Sequence, residues 1–192
     1  MVRIGAVTAV AVAGGSAAAG YLGLVTGALP LDVGVGRRSR PLGPRTMDIA
    51  APRDVVFDVI AQPYLGRATR AVREKVRVLE RGTDMVLAAH RTPVADGRLT
   101  ATTVETVRFT RPERIDFRLV RGPVPAVTES FTLTPHGTGT RLVYEGELAT
   151  DLWRAGQWWG NLVAPRWEAT VAASLVAVRQ EAERRSSLPR RP

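Results

Sequence analysis

The sequence predicts an α+β fold in which one transmembrane helix precedes an antiparallel sheet of about seven strands, wrapped around a long C-terminal helix. Three observations predict the folded part. A short strand runs straight into a helix over residues 47–63, six strand-like runs follow, and residues 152–185 carry a helical pattern of apolar side chains. Short strands joined by tight turns are typical of an antiparallel meander rather than of a parallel α/β sheet.

The first helix is predicted from its beginning and from its apolar face. Pro52 suits the first helical position, where no N–H is needed, and Asp54 lies where a carboxylate meets the positive end of the helix dipole. Apolar residues then recur at the spacing of one buried helix face. They are Val55, Val56, Val59 and Ile60. Residues 63–70 are expected to form a second short helix or a loop.

The six strand-like runs are predicted from the alternation of apolar and polar residues. Within residues 114–120, for example, Ile115 and Phe117 alternate with Asp116 and Arg118. The runs cover residues 72–80, 85–92, 99–109, 114–120, 127–133 and 140–148.

The final helix is predicted to begin after Asp151, whose side chain is expected to cap it. Pro165 is expected to break or kink this helix, because proline cannot donate to the preceding turn. Beyond the proline, one face is expected to bury itself against the concave side of the sheet. That face consists of Trp167, Val171, Ser174, Leu175 and Val178.

The N-terminal segment is predicted to cross a membrane. Residues 4–29 contain no charged residue and exceed the roughly 30 Å hydrocarbon core of a bilayer. We favour an uncleaved anchor over a cleaved signal peptide, because the apolar run continues past the small residues 17–19 that resemble a cleavage site. More arginines follow the segment than precede it, which places the folded domain in the cytoplasm.

The chain is accordingly expected to contain an anchor (residues 1–30), a linker (31–43), one folded domain (44–188) and a basic tail (189–192). Small residues recur at every fourth position of the anchor, at Gly15, Ala19, Gly23 and Gly27. Such a stripe lets two membrane helices approach closely, which predicts weak self-association. The alternative is chance, in a segment so rich in alanine and glycine.

The net charge of +9 does not predict a nucleic-acid partner. The arginines are dispersed, and the clusters within residues 37–40 and 184–191 lack the interleaved aromatic residues of a base-stacking surface. Attraction to anionic lipid headgroups explains both clusters, so a membrane is the expected partner. The chain has no cysteine, and its two histidines show no metal-ligand spacing, so neither a metal nor a cofactor is expected.

The order of the elements over residues 44–185 resembles the helix-grip fold of the START-like, polyketide-cyclase-like SRPBCC superfamily. The segments that carry this resemblance are IAAPRDVVFDVIAQP and PHGTGTRLVYEGEL, followed by the long final helix. The resemblance implies a deep apolar cavity between the sheet and that helix, used for lipids, polyketides or other hydrophobic ligands. A minority of the superfamily are enzymes, so the fold does not transfer a function.

Two carboxylates are predicted to lie in this cavity. Alternation places Glu105 on the face of Val107, and Glu129 on the face of Val127 and Phe131. A carboxylate in an apolar cavity has a raised pKa and acts as an acid, a base or a ligand anchor. The alternative for each is a charge at the cavity mouth, or one paired with an arginine such as Arg118 or Arg141.

Other candidate ligand contacts come from the strands and the final helix. Tyr144 is a candidate hydroxyl donor, with ordinary core packing as the alternative. The remaining candidates are the apolar or aromatic residues Phe117, Phe131, Trp159, Val163 and Trp167.

Positions outside the group of candidate ligand contacts are expected for the two histidines and for one of two adjacent tryptophans. His136 is expected to lie in a solvated turn, and His90 at the surface or the cavity rim. Trp158 and Trp159 point to different sides of a helix, so one of them is expected to meet the membrane interface unless packing explains both.

Three classes of function remain open. The favoured one is non-enzymatic binding of a hydrophobic small molecule or lipid by a membrane-anchored domain, because the predicted cavity lacks an acid–base pair. The first alternative is a polyketide cyclase- or aromatase-like enzyme that uses a cavity carboxylate. The second is a protein-interaction module whose cavity is filled by its own side chains.

Overall fold

The computed structural model describes residues 19–66 and 74–188, and it contains the predicted strands, first helix and long final helix of the folded domain in the predicted order. The seven strands are β1 (Arg38–Ile49), β2 (Val76–Arg81), β3 (Met85–Val94), β4 (Leu99–Thr110), β5 (Arg114–Arg121), β6 (Ala126–His136) and β7 (Gly139–Thr150). The helices are α1 (Arg53–Leu65) and α2 (Trp153–Ser187), and residues 19–26 are also helical.

The strands form one antiparallel sheet with the order β1-β7-β6-β5-β4-β3-β2. Because β1 pairs with β7, the first and last strands of the domain are neighbours. The strand order leaves β1 and β2 at the two edges of the sheet. The prediction of a seven-stranded antiparallel meander with a long C-terminal helix is confirmed.

The core lies between the concave face of the sheet and the two helices. On α1 the buried face is centred one residue later than predicted, since Val55 and Val59 are only partly buried. The buried residues of α1 are Val56, Phe57, Ile60, Ala61 and Tyr64. On α2, Val171 and Leu175 are buried as predicted, whereas Ser174 is exposed.

Two details of α2 differ from prediction. The helix continues through Pro165, because packing along the sheet outweighs the local cost of the missing N–H. Asp151 does not cap it: the cap position is Leu152, in a left-handed conformation and with no capping side chain. The Asp151 carboxylate is instead fully buried and accepts hydrogen bonds from residues at the start of the chain.

The first strand begins within residues 31–43, which the sequence predicts to be a linker. Pro41 and Pro44 are tolerated because β1 is an edge strand, where a missing N–H costs no hydrogen bond of the ladder. The final helix covers this edge. Glu168 accepts a hydrogen bond from the Gly43 N–H, and Glu183 accepts one from the Ala50 N–H, both at 3.1 Å.

Residues 27–37, called here the N-terminal strap, are packed against the end of the sheet. Gly27 has a φ of 70°, and a Cβ there would lie 2.4 Å from the carbonyl oxygen of Thr102. Arg121 donates to the carbonyls of Gly27 and Ala28, at 3.2 and 3.0 Å. The strap is therefore part of the folded domain.

Among the described residues, none of the helices has the length and hydropathy needed to cross a bilayer. Residues 1–18 of the predicted anchor lie outside the described part, as do residues 67–73 and the basic tail at 189–192. Two glycines of the small-residue stripe have neighbours in this same chain. A Cβ at Gly23 would lie 3.0 Å from the Leu29 side chain, and one at Gly27 would meet Thr102.

Candidate functional site

Aromatic side chains cover the middle of the concave face of the sheet. The ring centroids of Phe117 and Phe131 are 5.3 Å apart, and those of Phe131 and Tyr144 are 5.5 Å apart. Tyr64 of α1 continues this series, 6.1 Å from Phe117. These four residues form what we call the aromatic row. Phe117 and Phe131 remain partly exposed, so the row offers ring surface to an apolar molecule.

Glu129 lies at the end of the aromatic row and is held by two side-chain donors. Its Oε1 accepts a hydrogen bond from the Tyr144 hydroxyl at 2.6 Å and one from the Trp167 indole N–H at 2.8 Å. No described residue donates to Oε2. One carboxyl oxygen is thus fixed in place, and the other is available to a ligand.

The surroundings of Glu129 change its acidity. Burial raises its pKa to about 7. The hydrogen bonds from Tyr144 and Trp167 favour the ionised form and lower the pKa, but they offset only part of the cost of desolvation. The nearby charge of Glu105 adds a further upward contribution. Of the two carboxylates, Glu129 therefore has the raised pKa that the sequence analysis expected.

Glu105 is different, because it is paired with a histidine. Its Oε2 lies 3.1 Å from His90 Nδ1, and its Oε1 accepts a hydrogen bond from the Thr103 hydroxyl at 2.7 Å. His90 Nε2 lies 2.9 Å from the Tyr64 hydroxyl. Since an ionised carboxylate only accepts, Nδ1 is the donor to Glu105, and in a neutral ring Nε2 accepts from Tyr64.

The histidine also reverses the expected acidity of Glu105. Burial alone would raise its pKa, but the hydrogen bond and charge of His90, together with Thr103, hold the pKa below the ordinary value. Burial raises the pKa of the Tyr64 phenol. Glu105 is therefore the ionised carboxylate of the pair, and Glu129 titrates near neutrality.

The observed contacts differ from two expectations of the sequence analysis, one about arginine partners and one about His90. Neither cavity carboxylate is paired with Arg118 or Arg141; Arg141 pairs with Asp48 instead, at 2.8 Å. Of the two positions expected for His90, the exposed surface is wrong, since its side chain is 16% exposed, and the cavity rim stays a prediction. The period-two pattern would have found it, because Val86, Ala88 and His90 share one face of β3.

Tyr64 is a site residue that the sequence analysis did not single out. The i, i+4, i+8 spacing of Val56, Ile60 and Tyr64 on α1 is the signal that could have found it. His136 was placed correctly: it is 49% exposed at the end of β6, near Asp48 and Arg141.

Trp159 and Val163 lie further toward the beginning of α2. The indole N–H of Trp159 donates to the Pro123 carbonyl at 2.7 Å, and Tyr21 packs edge-on against its ring. Val163 is partly buried and packs against the core. Of these α2 residues, Trp167 donates to Glu129 directly, whereas Trp159 contacts Pro123 and Tyr21.

Two concave surfaces of the described structure do not coincide with the expected cavity. One, of about 640 Å³, lies on the outer face of the sheet and is lined mostly by polar residues such as Thr106, Arg118 and Ser130. Phe117 and Glu129 also border it. Another, of about 240 Å³, lies between β1 and α2. Between the sheet and α2, where the resemblance implies a deep apolar cavity, the structure places the partly exposed aromatic row. The described residues contain no group of three or more metal-ligating side chains.

Several solved structures share this fold. The Zhui aromatase/cyclase from Streptomyces sp. R1128 aligns with a TM-score of 0.59 and 20% identity, over 78% of this chain and 95% of that one. Norcoclaurine synthase from Thalictrum flavum aligns with a TM-score of 0.58 and 13% identity, over 76% and 87%. A protein from Thermus thermophilus aligns with a TM-score of 0.54 and 19% identity, over 79% and 98%.

At these identities the likeness to solved structures shows the fold alone. No curated protein matches the sequence. One family model matches residues 44–183, which is most of the chain and covers nearly all of the sheet and α2. The protein therefore belongs to the polyketide cyclase / dehydrase and lipid transport family.

Proposed function

We propose that the protein binds a hydrophobic small molecule or lipid between the sheet and α2, without transforming it. The observation that carries this proposal is Glu129. Its Oε1 is fixed by Tyr144 and Trp167, and its Oε2 receives no hydrogen bond from the described residues. Glu129 is the cross-strand partner of the partly exposed Phe117 and shares a face of β6 with Phe131. An apolar surface with one oriented polar group is the usual design of a small-molecule site.

The aromatic row supplies the affinity and Glu129 supplies the orientation. Removing apolar ligand surface from water contributes roughly 25 cal/mol per Å². A protonated Glu129 donates a hydrogen bond to a ligand carbonyl, whereas the ionised form accepts one from a ligand hydroxyl. Because burial raises the pKa of Glu129 to about 7, a carbonyl-bearing ligand is expected to bind more tightly at pH 6 than at pH 8.

The test compares two substitutions of the same kind on α2. Val163 is partly buried, packs against the core and lies one helical turn before Trp167, so Val163→Trp adds bulk on the side of α2 that faces the core. Val176 is 47% exposed on the same helix, so Val176→Trp serves as the matched control. The full chain is purified from its own host, and native mass spectrometry with organic extraction identifies any bound molecule. Circular dichroism establishes that both variants are folded.

The proposal expects a co-purifying hydrophobic molecule in the wild type and in Val176→Trp, and its loss from Val163→Trp. Retention of the same molecule by a folded Val163→Trp would place it elsewhere on the protein. A wild-type protein that is reproducibly empty contradicts stable binding, and favours either an enzyme with transient substrates or an interaction module.

A second candidate is a cyclase-like enzyme, and the Glu105–His90–Tyr64 chain specifically favours it. The non-enzymatic interpretation assumes that the cavity lacks an acid–base pair, but the structure places a carboxylate-oriented histidine beside a phenol. Glu129, with a pKa of about 7, is suited to accept a proton at neutral pH. Two of the solved structures that share the fold are named as an aromatase/cyclase and a synthase.

This candidate is tested with benzoylacetone, a hydrophobic β-diketone. In the proposed step Glu129 Oε2 takes a proton from the carbon between the two carbonyls, leaving an enolate. Proton–deuterium exchange at that carbon, followed by NMR, is expected to be faster with wild type than with Glu129→Gln. The enhancement is expected to increase as the pH passes 7, whereas the exposed control Glu147→Gln keeps it. Exchange no faster than in buffer at the same pH contradicts the enzyme.

We also propose that the part of the predicted anchor (residues 1–30) that precedes the strap holds the protein in a membrane, with the folded domain in the cytoplasm. The support is the absence of charge in this segment from residue 4 onward and the excess of arginines after it. Alkaline carbonate washing of host membranes is expected to leave the full-length protein in the pellet, and its intact mass shows whether the segment is retained. Release into the supernatant contradicts an anchor.

A further inference from the structure

Exposed apolar side chains are concentrated at one end of the described molecule. Of its fourteen large exposed hydrophobic residues, six lie within residues 21–35 and three within residues 152–158. Trp153 is 55% exposed and Trp158 is 63% exposed. Exposed tryptophans are uncommon on a surface that meets only water, and a concentration of this kind marks an interaction site.

Hydrogen bonds join these two segments into one surface, called here the apolar end. The Leu152 N–H donates to the Val35 carbonyl at 2.8 Å, and the Trp153 N–H donates to the Gly36 carbonyl at 2.9 Å. Gly36 has a φ of 63°, and a Cβ there would lie 2.3 Å from the Trp153 ring. The strap therefore holds the Trp153 indole in position while leaving more than half of the side chain exposed.

A cationic cleft of about 240 Å³ borders the apolar end, between β1 and α2. Its lining includes Arg38, Arg40, Gln157 and Asn161. Arg40 donates from Nη1 to Asn161 Oδ1 at 3.0 Å, but its buried Nε has no partner among the described residues. No described acidic residue pairs with either arginine. An unpaired guanidinium N–H in a positively charged cleft is a donor that is expected to bind an anionic oxygen.

The cleft and the apolar end are adjacent in the chain as well as in space. Arg38 directly follows the strap, and Gln157 directly precedes Trp158. Arg154, which follows Trp153, is also exposed. Apolar and cationic groups thus lie side by side, as they do in proteins that contact the headgroup region of an anionic membrane.

We propose that the apolar end rests on an anionic lipid bilayer, with Trp153 and Trp158 in the interfacial region and a lipid headgroup phosphate in the cleft of Arg38 and Arg40. Indole rings favour this region because one part is apolar and the N–H is polar. The uncharged residues 4–18 lead directly to residue 19 at this same end, which favours a bilayer over a protein partner. This inference rests on the membrane anchor proposed above, and it does not depend on the ligand proposed for the aromatic row.

The test uses the full chain reconstituted in vesicles of brominated phosphatidylcholine, with and without one quarter phosphatidylglycerol. Bromine quenches tryptophans that lie in the bilayer interface. The variants Trp153→Phe and Trp158→Phe address the apolar end, and Trp167→Phe is the control because that indole is held by Glu129 in the interior. Arg40→Gln addresses the cleft. Arg108→Gln, on the outer face of the sheet and 58% exposed, removes the same charge elsewhere.

The proposal expects the quenched fraction to fall at least two-fold in the Trp153→Phe, Trp158→Phe double variant. In Trp167→Phe the fraction is expected to rise, because this variant removes an indole that the bilayer does not quench. It expects phosphatidylglycerol to increase quenching in the wild type and in Arg108→Gln, and to have no such effect in Arg40→Gln. Equal quenching in the double variant and the wild type would overturn the proposal.

Two other outcomes also overturn it and identify a different occupant. If Arg40-dependent binding of inorganic phosphate is seen without any effect of anionic lipid, the cleft is a site for free anions. If Trp153 and Trp158 become protected as the protein-to-lipid ratio rises, and not as anionic lipid is added, the apolar end contacts a second copy of this chain.

Discussion

Glu129 links the site to the stability of the protein through its protonation. Burial raises its pKa from 4.5 to about 7, so between these pH values the folded state binds more protons than the unfolded state. The contribution of Glu129 to the free energy of unfolding is therefore largest at low pH, and it decreases as the pH rises toward 7. The shift corresponds to about 3 kcal/mol across this window.

Glu129→Gln is expected to remove this dependence, because a neutral amide still accepts from Tyr144 and Trp167. Urea unfolding between pH 5 and pH 8 should show a flatter profile for the variant, and a higher free energy of unfolding than wild type at pH 8. The control is Glu147→Gln, at an exposed position of β7. A wild-type slope retained in Glu129→Gln would contradict the raised pKa.

A second prediction at the scale of single residues concerns the stability that the His90–Glu105 pair contributes. His90→Leu leaves a carboxylate that is only 6% exposed without its ring partner, and it is expected to cost on the order of 3–5 kcal/mol. Replacing both residues by leucine removes the buried charge as well as its partner. Chemical denaturation should therefore find the double variant more stable than His90→Leu alone. A double variant as unstable as the sum of the two single variants would contradict the coupling.

At the scale of elements, the N-terminal strap is held by one buried carboxylate. Asp151 Oδ2 accepts from the backbone N–H groups of Val33 and Gly34, at 2.8 and 2.7 Å, and Oδ1 accepts from Arg37 Nε at 2.8 Å. The Arg37 hydrogen bond, supported by those from the strap, holds the pKa of Asp151 below its ordinary value. The strap is therefore expected to loosen in acid, as the pH falls through that lowered pKa.

Asp151→Ala is expected to release the strap while the sheet stays folded. Hydrogen–deuterium exchange at the amides of Val33 and Gly34 should accelerate by at least about ten-fold, since their acceptor is lost. The control is Asp48→Ala, which removes an exposed ion pair with Arg141 and should cost less than about 1 kcal/mol. Unchanged exchange at both strap amides would show that other contacts hold the strap.

At the scale of the whole molecule, the two edges of the sheet are protected differently. Edge β1 is covered by α2, whose Glu168 and Glu183 accept hydrogen bonds from its Gly43 and from Ala50 just beyond it. Edge β2 is mostly exposed, with Leu79 47% accessible. An uncovered edge with few buried contacts opens more readily.

Amide exchange of the full chain is expected to follow this asymmetry. Residues of β2 should exchange at least about ten-fold faster than those of β1, and the interior strand β6 should be the slowest. Mass spectrometry of peptic peptides measures all three strands in one experiment, so β6 serves as the internal reference. Equal protection of β1 and β2 would mean that α2 does not stabilise the edge it covers.

The sequence by itself determined the element order, the antiparallel meander and the faces of the strands. These depend on local patterns: period-two alternation placed Glu105 and Glu129 on the core side, and the turns between runs excluded a parallel sheet. The same alternation in β3 also contained His90, so its position was predictable although its partners were not.

Only the tertiary structure decided which groups meet, because those contacts join residues far apart in the chain. Tyr64 reaches His90 across 26 residues, and Asp151 binds Gly34 across 117. The prediction that Asp151 caps α2 was wrong, and so was a break of the helix at Pro165, because local rules for capping and helix breaking ignore such contacts. The pKa values of the two carboxylates also depend on such contacts. Glu105 and Glu129 look alike in the sequence, yet His90 lowers the pKa of Glu105 whereas burial raises the pKa of Glu129.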